Sequence, residues 1–297
     1  MRALPAALIF LVTSCHVVAG LDSFDLETGG GGNGAGGLGE GGTGGDLATG
    51  GAGGELALVE RGVLARWFLD EAGGATTVTD AIAPFVDLTV QPNNTGFPVL
   101  SGVAGVRGVT WDTAGTNGYV RTAVADTKLE TIDGKRRATI EIVMSLSDVV
   151  DGSRLVHYGA EAEGGRLSLR AIDMSTIELW VTYESRAFWT VDLSTPRLVV
   201  HAVYDSELAQ PDDRAQLYVG GTVVDTLSVE APIAQGLTID VDSPNPVTFH
   251  IGNRDDSTPS NGRSAKGTFH YVALYDVALT AAEVATNAAL LAQRDDP

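Results

Sequence analysis

The rhythm of residues 56–297 limits the fold more than any other feature of this chain. Short apolar or alternating runs recur every 8–15 residues and are punctuated by Gly, Asn, Asp and Pro. They fall at 63–69, 86–90, 106–111, 119–123, 138–145, 155–158 and 166–172, then at 177–183, 188–193, 197–204, 215–219, 222–227, 246–252 and 267–274. Strand-length runs at this spacing, with turn residues between them, specify an antiparallel β-sandwich or jelly roll. Val219-Gly220-Gly221-Thr222 reads as a two-residue hairpin, because paired glycines supply the positive φ of a primed turn. One helical pattern stands out, at the end of the chain. Thr280 is a natural N-cap and Glu283 completes a capping box, with Val284, Ala288 and Leu291 at helical spacing. The expected fold is therefore an all-β antiparallel sandwich with a short C-terminal helix.

Two segments precede this domain. Residues 1–19 begin Met1-Arg2, continue through an apolar run at 3–12, and reach Thr13-Ser14 before Cys15. One cation, a short apolar stretch and small residues make a secretory signal, too short to remain as a membrane span. Val12-Thr13-Ser14-Cys15 resembles a bacterial lipoprotein signal, which implies a lipid on Cys15. That cysteine is the only one in the chain, so it has no disulfide partner within it. Cleavage after Ala19, with Val17 two residues before it, also satisfies the small-residue rule and stays open. His16 rather than an acid follows Cys15, which directs such a lipoprotein to the outer membrane. The expectation is export, to the outer membrane or cell surface by a lipid anchor, or otherwise to the medium. Residues 20–55 are dominated by glycine, which loses much entropy on ordering and here has little to bury in return. They are expected to act as a flexible tether with a span of about 30 Å.

A formal net charge of −19 argues against nucleic acid, whose binding needs clustered Lys and Arg. The longest basic run is Lys135-Arg136-Arg137, read as a solvated turn.

From 63 to 290 the order of motifs resembles a bacterial laminin-G-like domain of the concanavalin A-type lectin and glucanase jelly rolls. Trp67-Phe68-Leu69-Asp70-Glu71, Gly73-Gly74 and Val78-Thr79-Asp80 are similar to the opening strand of that family. Val109-Thr110-Trp111-Asp112 with Gly118-Tyr119-Val120, and Ala138-Thr139-Ile140-Glu141-Ile142, follow in the expected places. So do Ala215-Gln216-Leu217-Tyr218-Val219-Gly220-Gly221, Phe249-His250-Ile251-Gly252-Asn253, and the stretch from Ala273-Leu274-Tyr275-Asp276 to Val284. The chain departs from the pattern at Gly118, where the family carries an acid, and at Arg197, where it carries a tryptophan. The resemblance implies a jelly roll and, through acids near strand ends, a Ca²⁺ site. Asp70, Glu71, Asp80 and Asp112 are its candidate ligands, set against a reading as turn acids.

Glucan-cutting relatives place paired carboxylates on one strand, E-x-D-x-(x)-E. No such run occurs here, nor H-E-x-x-H, nor G-x-S-x-G, and the histidines at 16, 157, 201, 250 and 270 are scattered. The chain is read as non-catalytic. Trp180, Tyr183 and Trp189 are candidate sugar-stacking aromatics on paired strands, with core packing as the alternative for the tryptophans. Arg254, Asp255 and Asp256 open a long polar loop of the kind that carries binding. The functional expectation is a surface-tethered lectin-like module for carbohydrate or a cell-surface protein. The alternative is an adhesive or spacer protein with no small ligand.

Overall fold

A computed structural model of the chain describes residues 57–103, 106–160, 167–182, 185–230, 232–240, 246–254 and 262–293. The leader with Cys15, the tether, Tyr183, Asp255 and Asp256 lie outside the described residues. The first strands are β1 (Val63–Trp67), β2 (Thr77–Val78), β3 (Leu88–Gln91), β4 (Val99–Ser101), β5 (Gly108–Trp111) and β6 (Tyr119–Ala123). They are followed by β7 (Arg137–Asp148), β8 (Ser153–Ala160), β9 (Leu167–Asp173), β10 (Thr176–Val181), β11 (Ser185–Thr190) and β12 (Leu198–Asp205). The last are β13 (Ala215–Val219), β14 (Thr222–Val224), β15 (Thr226–Glu230), β16 (Val247–Ile251) and β17 (Lys266–Tyr275), before helix α1 (Ala281–Gln293).

These strands form two antiparallel sheets. The eight-stranded sheet runs β14-β13-β12-β7-β17-β5-β4, with β1 paired to β17. The nine-stranded sheet runs β15-β11-β10-β9-β8-β16-β6-β3-β2. Alternation sets the layering, since successive side chains on a strand point to opposite faces. On β7, Ile140, Ile142 and Met144 enter the core between the sheets, together with Trp67, Trp111, Leu179 and Phe249. The run 222–227, read as one strand, is two. β14 pairs with β13 in one sheet and β15 with β11 in the other, so the chain changes sheets near Asp225. The two- and three-residue strands β2 and β4 are too short to leave a periodic signal.

The local turn chemistry works as read. Gly220 and Gly221 sit at φ +56 and +85 between Val219 and Thr222, which pair directly. At α1, Thr280 Oγ1 accepts the Glu283 N–H at 3.3 Å while Glu283 Oε2 accepts the Thr280 N–H at 2.7 Å. Glu283 also binds Arg61 at 2.6 Å, tying the stretch before β1 to the helix. Gly118 stands where the resemblance implies an acid, and the backbone there leaves no room for one. It lies at φ +96, and a Cβ there would meet the Phe97 carbonyl oxygen at 2.4 Å. Gly118→Asp should therefore lose about 3 kcal/mol through backbone strain and overlap, lowering the thermal midpoint by roughly 6–12 °C. An unchanged midpoint would show that the loop relaxes freely.

The eight-stranded sheet has a second apolar layer on its outer side. Val143, Val199, Val203, Tyr218, Tyr271 and Ala273 pack there with Val284, Ala288 and Leu291 of α1. Glu141 sits inside this layer with 0 % exposure, opposite His201 on β12. Its Oε1 lies 2.6 Å from His201 Nε2. Its Oε2 accepts the hydroxyls of Tyr271 and Tyr275 at 2.8 and 2.9 Å. Burial alone would raise this carboxyl, but the bond and charge of His201 and the two tyrosine donors bring it below the ordinary range.

Candidate functional site

The outer face of the nine-stranded sheet departs from a plain solvated surface. Leu167, Leu169, Ala171, Ile177, Leu179, Val181 and Ala187 fill the core side. Strand alternation then sends Ser168, Arg170, Glu178, Trp180 and Arg186 outward. Register aligns them in two rows across the sheet. In the first, Arg186 faces Trp180, Trp180 faces Ser168, Ser168 faces His157, and His157 faces His250. In the second, Phe188 faces Glu178, Glu178 faces Arg170, and Arg170 faces Arg154.

Trp180 is the centre of the first cluster. Its indole N–H donates to Glu178 Oε1. The guanidinium carbons of Arg170 and Arg186 lie over its ring at 4.1 and 4.2 Å, and that of Arg154 at 5.9 Å. Such contacts stabilise a cation against the ring by about 0.5–2 kcal/mol each. Glu178 Oε2 stands 3.2 Å from Arg170 Nε, and its Oε1 stands 3.8 Å from Arg186 Nη1. Burial pushes the Glu178 carboxyl up, and the three arginines with the Trp180 N–H only partly counter it. Burial first, then the charges of Arg170, Arg254 and Arg263, pushes the Arg154 guanidinium down to about 8. Arg170 is lowered in the same way, chiefly by burial. A guanidinium keeps its proton in proteins, so these shifts register burial first and the neighbouring positive charge second.

Beside this cluster, His157 and His250 meet with ring centroids 5.8 Å apart. His157 Nδ1 shares a hydrogen bond with Ser168 Oγ at 2.8 Å, and His250 Nε2 shares one with Thr248 Oγ1 at 2.7 Å. Both rings are fully buried. Burial, then Arg154, His250 and Arg254, hold His157 well below its ordinary value. Burial, then Arg121 and Arg254, push His250 down to about 3.

The structure sorts the residues singled out from sequence. Trp180 is on this face, with its ring taken up by guanidinium groups rather than open for stacking. Trp189 is not, because it faces Ile177 on the core side and is fully buried. Arg254 acts on this face through its charge on Arg154, His157 and His250. Asn253 ties Arg254 to Arg263. Its Nδ2 donates to the Thr116 and Gly118 carbonyls, while its Oδ1 accepts the N–H groups of Arg254 and Arg263 at 2.7 and 2.9 Å.

The acids proposed for Ca²⁺ do not form a cage. Asp80 is buried, with Oδ1 accepting the N–H groups of Arg66 and Ile82 and Oδ2 accepting that of Val86. Its Oδ2 is also 2.7 Å from Lys128 Nζ. Glu71 accepts the Thr79 N–H at 2.6 Å, Asp70 is half-buried and Asp112 is exposed. Ca²⁺ takes six to eight converging oxygens, and an ammonium already holds the most buried acid. Among the described residues no three His, Cys, Asp or Glu side chains group closely enough to hold a metal. Melting curves with and without EDTA are expected to coincide. A midpoint lowered by the chelator would put Ca²⁺ back among the structural elements.

Comparisons with known proteins give fold alone. No protein-family model matches the chain, and no curated protein matches it. Among solved structures, a Trypanosoma rangeli sialidase in complex with 2,3-difluorosialic acid has a TM-score of 0.52 at 18% identity, over 82% of this chain and 35% of the sialidase. The binding domain of botulinum neurotoxin DC in complex with rat synaptotagmin II has a TM-score of 0.53 at 11% identity, over 77% of this chain and 52% of the toxin domain. The same domain in complex with SialylT has a TM-score of 0.52 at 12% identity. The chain thus spans about a third of the sialidase and half of the toxin domain. The shared element is an antiparallel β-sandwich.

Proposed function

We infer that this chain is a non-catalytic, laminin-G-like glycan-binding module, displayed at the cell surface by an anchor at Cys15. The observation that carries the reading is the polar and aromatic outer face of the nine-stranded sheet. A sheet face with only solvent to meet needs no ordered row of Trp, Arg, His and Ser, most of it withdrawn from water. Its one described carboxylate, Glu178, is engaged by arginines and an indole. That arrangement supports binding rather than the paired acid chemistry of a glycosidase. The toxin domain of similar fold is in complex with SialylT in one structure and with synaptotagmin II in another. The likeness lends the reading its fold and no more, because one fold hosts many functions.

A glycan array probed with the purified chain is expected to give saccharide signals that Trp180→Ala abolishes, with no turnover of the bound glycan. Clean silence across the array, with and without Ca²⁺, overturns the reading in favour of an adhesive spacer. The anchor has its own test. A palmitate analogue should label the wild type and not Cys15→Ser, and an unlabelled wild type rules the anchor out.

A further inference from the structure

We propose that Arg154, Arg170 and Arg186 form a seat for the anionic group, carboxylate or sulfate, of an acidic saccharide. This rests on the outer face of the nine-stranded sheet being the glycan-binding face.

Three observations carry it. The first is a charge imbalance in a small volume. Three guanidinium carbons lie 4.1, 4.2 and 5.9 Å from one ring centroid. Among the described residues, the one carboxylate within ion-pair distance of them is Glu178. Buried charge is costly unless paired, and a bound anion would add a partner to the one that Glu178 supplies. The second is unused donor capacity. Arg154 is 4 % exposed, and its Nε, like Nη1 of Arg170, makes no hydrogen bond. Arg154 Nη1 donates to the Gly152 carbonyl, which fixes the side chain while leaving Nε unengaged. Planar guanidinium groups with free N–H edges match the oxygens of carboxylate or sulfate.

The third is preorganisation with a way in. Trp180 and Glu178, two residues apart on β10, hold the arginines of β9 and β11 on either side of their own strand. Arg186 keeps 34 % of its side chain exposed, so the seat opens to solvent on the β11 side. Arg154 is buried beside like-charged Arg170, an environment in which an anion is the favourable neighbour. The saccharide is then recognised by charge, and Trp180 serves as a rigid post rather than a stacking platform.

The test uses the full chain and three probes: a uronate-containing oligosaccharide, its carboxyl-reduced counterpart, and inorganic sulfate against chloride at matched ionic strength. Titration calorimetry should show wild type preferring the uronate form by about tenfold or more over the reduced form, as for charge-assisted bonds to a guanidinium. Sulfate should raise the melting midpoint where chloride does not. Arg170→Gln and Arg186→Gln should each erase both effects. Arg186→Gln alters a partly exposed side chain, so it serves even if Arg170→Gln fails to fold. Equal affinity for the uronate and its reduced form, or a preference that survives Arg186→Gln, overturns the seat and leaves neutral glycan binding standing. A sulfate response with no acidic saccharide bound on the array keeps the anion seat but overturns the glycan as its source.

Discussion

Replacing Glu141 by alanine is expected to lower the unfolding free energy by about 4 kcal/mol or more. The carboxylate takes three hydrogen bonds, from His201, Tyr271 and Tyr275, at 2.6 to 2.9 Å. All three partners are buried. Alanine strands these donors without water, at about 1–3 kcal/mol each, and leaves a cavity beneath α1. The damage reaches further, because Asn287 on α1 donates to the Tyr275 hydroxyl and accepts the Val59 N–H. Urea unfolding measures the loss. A 4 kcal/mol change is a large share of the 5–15 kcal/mol a domain has, so the variant is expected to melt roughly 8–16 °C lower.

The control is Glu141→Gln, which keeps the volume but points an amide donor at one of the three donors. It should lose about half as much. In the double-mutant cycle Glu141→Ala with Tyr271→Phe, the paired loss should fall short of the sum by about 1 kcal/mol, because the second change removes a donor the first had orphaned. Additive losses would mean that the cluster is a set of independent contacts.

Why the sequence reveals the sandwich but not this cluster follows from range. The Gly220-Gly221 turn and the Thr280–Glu283 capping box are local devices whose partners lie within a few residues, so pattern alone places them. Glu141 in Ala138-Thr139-Ile140-Glu141-Ile142 occupies an alternate position that reads as solvent-facing. What buries it is α1 and strands far along the chain, joined by pairings across 60 to 134 residues. The arginine cluster is hidden for the same reason. Arg154, Arg170 and Arg186 stand on three strands as ordinary outward polar residues, and register alone brings them around Trp180. The parity of β10 does put Trp180 outward, opposite to Leu179 and Val181. Trp189 had no such clue, since β11 carries Phe188 outward beside it, so both faces of that strand look apolar. Two of the scattered histidines, His157 and His250, likewise become neighbours once β8 pairs with β16.

His157 and His250, held neutral by burial, are expected to cost the domain stability as pH falls through their ordinary value. In the folded chain His157 and His250 are held neutral, with His250 down near 3. Once unfolded they take up protons near their ordinary value of about 6.5. Below that pH the unfolded state binds more protons than the folded one, so stability falls as pH falls. The contribution is complete above about pH 7 and is lost progressively downward, at about 1.4 kcal/mol per pH unit for each ring. Between pH 7 and 5 both rings act in this direction. Protonation finds no relief in place, because the charges facing the rings are Arg154 on β8, Arg121 on β6 and Arg254 after β16, all positive. Glu71 and Glu178, raised by burial, act in the opposite sense by taking protons earlier in the fold. The depressed Glu283, near 2 through its bond to Arg61, adds its loss only as pH falls below about 4.5. Across pH 6.5 to 5 the histidines act against Glu71 and Glu178, so a histidine variant is what separates their share. Urea midpoints measured at pH 7, 6 and 5 should drop steadily for the wild type, and His250→Gln should halve the slope while starting from lower stability. A flat midpoint across that window, or a slope untouched in His250→Gln, would mean that the rings reach water and protonate in the folded chain.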